Sequence, residues 1–246
     1  MSRALPRRLC LAVVVLLPLT LAGCKSTQEK SAELEAQGAE IAKVEKIKIG
    51  ASNQSVKIQS QTLLTDQYGS AIVLRLKNDS PQGQANVPVA LEIRNAKGKT
   101  IYKNDTQGLE KGLIQVPLIE ASSETWWVND QVLVTQKPKT SDVTIGNSED
   151  AVPNDLPEIE VSRPDLEVDP VSGMNVTGEV FNRSDVEQVD LLLYAVATRG
   201  GKVVAAGRGL IPKLKTGKKP EFYRIYFIGD PKNADIEVFA LPSTFE

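Results

Sequence analysis

The stretch "SAIVLRLKN", Ser70–Asn78, decides the fold class. On an extended chain Ile72, Leu74 and Leu76 fall on one face, and Val73, Arg75 and Lys77 on the other. Period two belongs to a strand that covers a core on one side. The next apolar run, "NVPVALEIRN" at Asn86–Asn95, repeats the pattern. Val87, Val89, Leu91 and Ile93 lie together, with Glu92 and Arg94 opposite. One polar face per strand indicates antiparallel sheet. "NAKGK", Asn95–Lys99, then supplies the residues of a hairpin turn.

The same texture starts again after residue 164, in "MNVTGEVFN", "VDLLLYAVATRGGKVVAAG" and "EFYRIYFIG". The two halves align as copies. Asn78 matches Asn182, Ser80 matches Ser184, Gly98 matches Gly201 and Lys99 matches Lys202. "GLIQVPLI" lies over "GLIPKL", and Trp126-Trp127 falls near Phe222-Tyr223. Each copy is about 85 to 90 residues with roughly seven short strands, the rhythm of an immunoglobulin-like sandwich without the Cys-Trp-Cys signature. The expected fold is therefore all-β, with two tandem immunoglobulin-like β-sandwich domains over 44–136 and 164–246. The segment 137–163 between them is acidic and proline-containing, with few large apolar residues. It reads as an extended linker, free to add an edge strand to either neighbour.

The second copy also resembles the FxLYD-type domains of bacterial envelope proteins. The resemblance rests on a "GxVxN" strand, Gly178 to Asn182, an apolar strand from Leu191 into the Gly201-Lys202 turn, and an aromatic strand from Phe222 to Phe227. Thr198-Arg199-Gly200 stands where that pattern has an aspartate before the turn. The resemblance implies an extracytoplasmic module and brings no catalytic residues.

The chain opens with Arg3, Arg7 and Arg8, followed by an apolar run from Leu9 to Ala22. A basic start, a short apolar core and small residues at its end make a secretory signal peptide, too short for a membrane span. Leu21-Ala22-Gly23-Cys24 resembles the lipobox of bacterial lipoproteins. The resemblance implies a signal peptide over 1–23 and covalent diacylglycerol and N-acyl lipid on Cys24, with no other cofactor. A thiolate is the side chain able to form such a thioether, and more than one acyl chain gives stable anchoring. Residues 24–43, polar and rich in Ala, Glu and Lys, then form a tether. The only other cysteine, Cys10, leaves with the signal. The expected place is extracytoplasmic, lipid-anchored to the cell membrane. Lys25 after the cysteine favours the outer membrane in an organism that has two.

The sequence has no histidine, and Cys24 is taken by lipid. That removes Ser-His-Asp and Cys-His catalysis and most zinc sites. Gly200-Gly201-Lys202 sits at a hairpin and not before a helix, so it is no phosphate loop. Asp165, Glu167 and Asp169 alternate along a strand without the oxygen-rich loop that calcium needs. The formal net charge of −2 falls by three, to −5, when the leader arginines are lost, which speaks against a nucleic-acid partner. Catalysis is not expected.

Candidate binding residues are Trp126, Trp127, Phe222 and Tyr223, together with the lysine turn of Lys213, Lys215, Lys218 and Lys219. Adjacent aromatics point to opposite faces, so one of each pair belongs to the core. Phe222 shares a face with Tyr226, and Tyr223 with Phe227. The expected role is binding or scaffolding of an envelope protein or glycan from the anchored position. The alternative is an accessory ligand-binding subunit of a transporter or envelope enzyme.

Overall fold

Strand periodicity carries through to the structure. The computed structural model describes residues 49–148, 150, 152–153, 155–217 and 219–245, and these are all-β apart from one 3₁₀ turn, Lys111–Leu113. In the first half β1 (Val56–Thr65), β2 (Ser70–Asn78) and β6 (Glu124–Asn129) form one antiparallel sheet. β3 (Gln84–Asn95) pairs with β4 (Thr100–Lys103), β5 (Gln115–Ile119) and β7 (Pro138–Ile145) in another. In the second half β10 (Gly173–Asn182) pairs with β13 (Glu221–Tyr226), β8 (Ile159–Val161) and β9 (Asp165–Asp169). The fourth sheet runs in the order β14 (Ile228–Gly229), β12 (Lys202–Leu214), β11 (Gln188–Arg199), β15 (Asp235–Leu241).

Turn chemistry sets the hairpins. Asn95 Oδ1 accepts the backbone N–H groups of Lys97 and Lys99, and Gly98 has φ 76°. The matching β11–β12 turn places Gly200 and Gly201 at φ 58° and 74°. The copies also share an internal staple. Asn78 Nδ2 donates to the carbonyls of Gln82 and Glu120, and its Oδ1 accepts Ser80 N–H. Asn182 does the same with Val186, Leu214 and Ser184. All five asparagines that begin an N-x-S/T triplet (Asn53, Asn78, Asn104, Asn175, Asn182) are buried.

Two apolar cores follow from the alternation. In the first half Ile72, Leu74 and Leu76 of β2 share a core with Val87, Val89, Leu91 and Ile93 of β3. In the second, Leu191, Leu193, Ala195 and Ala197 of β11 pack with Val176, Val180 and Ile225. The other face of β11, Leu192, Tyr194 and Val196, belongs to the first core. β11 is thus buried on both sides, which is why its sequence is a nearly unbroken apolar run. The same contact changes the expectation for β2. Its second face is polar only at Arg75 and Lys77; Ala71 and Val73 are buried, and Val73 shares a cluster with Leu192, Tyr194 and Ala206 of the second half.

The segment expected as a linker is narrower than 137–163. Pro138–Ile145 pairs with β3 from Asn95 back to Val89, and Ile159–Val161 pairs with β10. Neither strand buries much side chain. Their order comes from backbone hydrogen bonds to a preformed sheet, which low hydrophobicity does not prevent. The described residues fall within one compact unit, Val44–Glu246.

Candidate functional site

A buried ion-pair cluster lies where β12 meets the first half. Arg208 projects from the apolar stretch Val203–Ile211 of β12, between Gly207 and Gly209, and only 4% of its side chain is exposed. Its Nη1 and Nη2 donate to Glu110 Oε1 and Oε2 at 2.8 and 2.9 Å, a two-pronged ion pair. Its backbone N–H donates to Asp130 Oδ2 at 2.9 Å. Arg208 Nε and Asp130 Oδ1 stand 3.6 Å apart, and neither has a hydrogen bond among the described residues. Gly112 makes room for this packing, since a Cβ there would overlap Leu192 and lie 2.9 Å from Arg208 Nη1.

Burial sets the protonation of these groups. It pushes the Asp130 carboxyl above the ordinary aspartate value, and the Arg208 charge and hydrogen bonds recover only part of the shift. Burial works against the Arg208 cation, but Glu110 and Asp130 more than offset it. The Tyr194 phenol beside them is raised, again by burial. Nearby, Asn129 Nδ2 donates to Tyr102 Oη at 3.2 Å. A guanidinium held by two carboxylates is a clamp: it fixes the Glu110 and Asp130 loops against β12. A second bond across the seam runs from Gly229 N–H to Asp66 Oδ2 at 2.8 Å.

The sequence-derived candidates are scattered. Trp127 is fully buried, its Nε1–H shared between the carbonyls of Gly112 and Gln115. Trp126 is half-buried, with the Arg75 guanidinium 5.4 Å from its ring centre. It borders a small space of about 190 Å³ with Glu237 and Phe239 of the second half. Phe222 is 60% exposed and shares its outward face with Tyr226. Tyr223 is 2% exposed, so it faces the second core and offers no binding surface. Lys213, Lys215 and Lys219 are exposed, and Lys213 pairs with Glu187 at 2.6 Å. Lys218 and Cys24 lie outside the described residues.

An opening of about 850 Å³ is lined by residues from Asn53 to Leu156. Asn53, Gln84, Glu120, Ser148 and Asp150 are among its polar lining residues. Several of these already serve the fold. Asn53 donates to Gln84 and Gly146 and accepts from Ser55 and Val56, and Ser148 bonds the Ala85 carbonyl. No group of three or more metal-ligating side chains occurs among the described residues.

Sequence reasoning missed the clamp. Its signal was present in "VVAAGRGLI", where one charged residue interrupts an apolar strand between two glycines. No protein-family profile matches this chain, and no characterised protein matches it in sequence.

Proposed function

We propose that this chain is a bacterial envelope lipoprotein, held at a membrane by lipid on Cys24, whose folded part binds or scaffolds an envelope protein or glycan. The observation that carries the reading is the order of the first residues: a basic start, a short apolar run, and Leu21-Ala22-Gly23-Cys24 before a polar tether. The folded part is then two immunoglobulin-like β-sandwiches in tandem. Two cores, the first of which also takes in one face of β11, and the repeated Asn78 and Asn182 staples support that description. The residues that carry the FxLYD resemblance fall on β10, on the β11–β12 hairpin and on β13.

Replacing Cys24 with Ser tests the anchor. The expected result is release from membranes and loss of lipid labelling. An uncleaved chain that still fractionates with membrane would refute it. Cross-linking in intact cells, wild type against the Cys24→Ser chain, tests the role. Anchor-dependent recovery of one envelope component is the expected outcome.

A further inference from the structure

Five of the nine large apolar side chains exposed among the described residues lie on or beside the β1–β2 and β9–β10 hairpins. Tyr68 tips the β1–β2 hairpin, and its ring lies against the β9–β10 hairpin, where a Cβ on Gly173 would come within 2.6 Å. Leu133, 83% exposed, borders the same depression as Tyr68. The β9–β10 hairpin adds Leu166, Val168 and Val171, the last two 69% and 84% exposed. Scattered exposed apolar residues are ordinary, but a contiguous group drawn from three loops of both halves marks an interaction surface.

The strand at the centre of this group has a free edge. β9 pairs with β10 on one side, and no described strand pairs with the other. Asp165, Glu167 and Asp169 share one face of β9, and Leu166 and Val168 the other. A second copy pairing antiparallel through β9 would set acids against acids, which destabilises a strand pair. The anchoring bilayer is also a poor fit, because an acidic row is repelled by anionic headgroups. The chain enters the fold elsewhere. Ile49 lies near Gly146, and β1 starts opposite Asn78, its ten residues ending about 30 Å away at the Tyr68 hairpin. What complements this edge is a basic strand.

We infer that β9 is the docking edge for a protein partner that adds an extended strand. Its lysine or arginine side chains face Asp165, Glu167 and Asp169, and its apolar side chains lie beside Leu166 and Val168. Strand addition of this kind draws affinity from backbone hydrogen bonds and specificity from alternating side chains. The inference rests on the binding role proposed above and gives the partner its chemistry.

The test uses the full-length chain in neutral phosphatidylcholine liposomes and two labelled synthetic peptides, one alternating Lys with Val and one alternating Glu with Val. Empty liposomes supply the background. The Lys peptide should bind and the Glu peptide should not. The Asp165→Lys variant, at an exposed position, should weaken the Lys peptide about tenfold while the unfolding temperature holds, whereas Glu167 also accepts from Thr177 Oγ1 and pairs with Arg224 at 3.5 Å and is left in place. Equal binding of both peptides, or of neither, overturns the inference. So does concentration-dependent self-association abolished by Val168→Asp, which would put a second copy on this face, or peptide-free transfer onto anionic liposomes. If the peptides fail while in-cell cross-linking still recovers a partner, the β9 site falls and the binding role stands.

Discussion

Strands β3 and β11 hold equal places in the two halves. Gln84 of β3 pairs with Ile119 of β5, and Gln188 of β11 pairs with Leu214 of β12. The inner faces are alike: Val87, Val89, Leu91 and Ile93 in one, Leu191, Leu193, Ala195 and Ala197 in the other. The outer faces are not. β3 presents Pro88, Ala90, Glu92 and Arg94, whereas β11 presents Leu192, Tyr194 and Val196. One repeat thus keeps a solvated face, and the other turns that face into a second apolar layer.

The hairpin partners diverge in step. β12 runs thirteen residues unbroken, while the equivalent stretch of the first half is β4, a 3₁₀ turn and β5. Buried side chains fill the break. Asn104 donates to the carbonyls of Val89 and Leu113 and accepts Leu91 N–H, and Trp127 Nε1–H closes the turn. The broken stretch carries Glu110, which grips Arg208 on the unbroken one. The matched strands thus give both halves similar inner faces, and the place where they differ joins them.

The sharpest way to break this comparison is Arg208→Ala. It would leave Glu110 and Asp130 without their shared cation, and loss of one partner from a buried ion pair costs about 3–5 kcal/mol. Urea unfolding should show a loss of that size, and a second transition if the halves then unfold separately. A loss below about 1 kcal/mol, the size of a surface pair, would mean that the clamp does not hold the seam. Arg208→Lys should recover little, because a point charge cannot make two parallel bonds to Glu110. Gly112→Ala attacks the same seam from the other side. Its Cβ overlaps Leu192, and overpacking of this kind costs about 1–3 kcal/mol.

Asn78→Ala and Asn182→Ala probe what the halves share. Each strips the bonds from two carbonyls and one N–H in a buried turn, at about 1–3 kcal/mol. Nearly equal losses in thermal unfolding would bear out the structural repeat. A large difference would show that one staple is redundant with its surroundings.

The alternation in Ser70–Asn78 and Asn86–Asn95 was enough to find the strands and their inner faces, because each face reports its own burial. The Asn and Gly-Lys positions marked the repeat for the same reason: each answers a local backbone need. The coverage of β2 was harder to read. Val73 shares its face with Ala71, Arg75 and Lys77, and the second-half residues of its cluster, Leu192, Tyr194 and Ala206, lie more than a hundred residues along the chain. The run "LLLYAVA" at Leu191–Ala197 did carry the complementary clue, since an uninterrupted apolar strand has no face left for solvent. The edge strand that the 137–163 segment was free to add is Pro138–Ile145; its bounds were not legible because it is ordered by its neighbour's backbone and not by its own side chains. Tyr223 and Phe222 illustrate the limit of period two. It separates the two faces of β13 but does not say which one meets the core.

The smallest expected effect isolates the solvated face of β3. Hydrogen bonds from the Thr100 hydroxyl, then Arg94 and Lys103, hold the Glu92 carboxyl down to about 2, from an ordinary 4.5. A depressed acid favours folding above its unfolded value, and that contribution fades as pH falls from 4.5 toward 2. Asp130 in the seam has the opposite sign. Its raised value favours folding while it is protonated, and that contribution is lost as pH rises from the ordinary 3.8 through the folded value. Glu92→Gln should therefore flatten the decline in stability on acidification. Asp130→Asn should leave that decline and remove the loss on the alkaline side of 3.8. Salt separates the two, because ion pairs open to water are screened and enclosed ones much less so. The Glu92 slope should shrink in concentrated salt and the Asp130 slope should persist; equal screening of both would place the seam in contact with solvent.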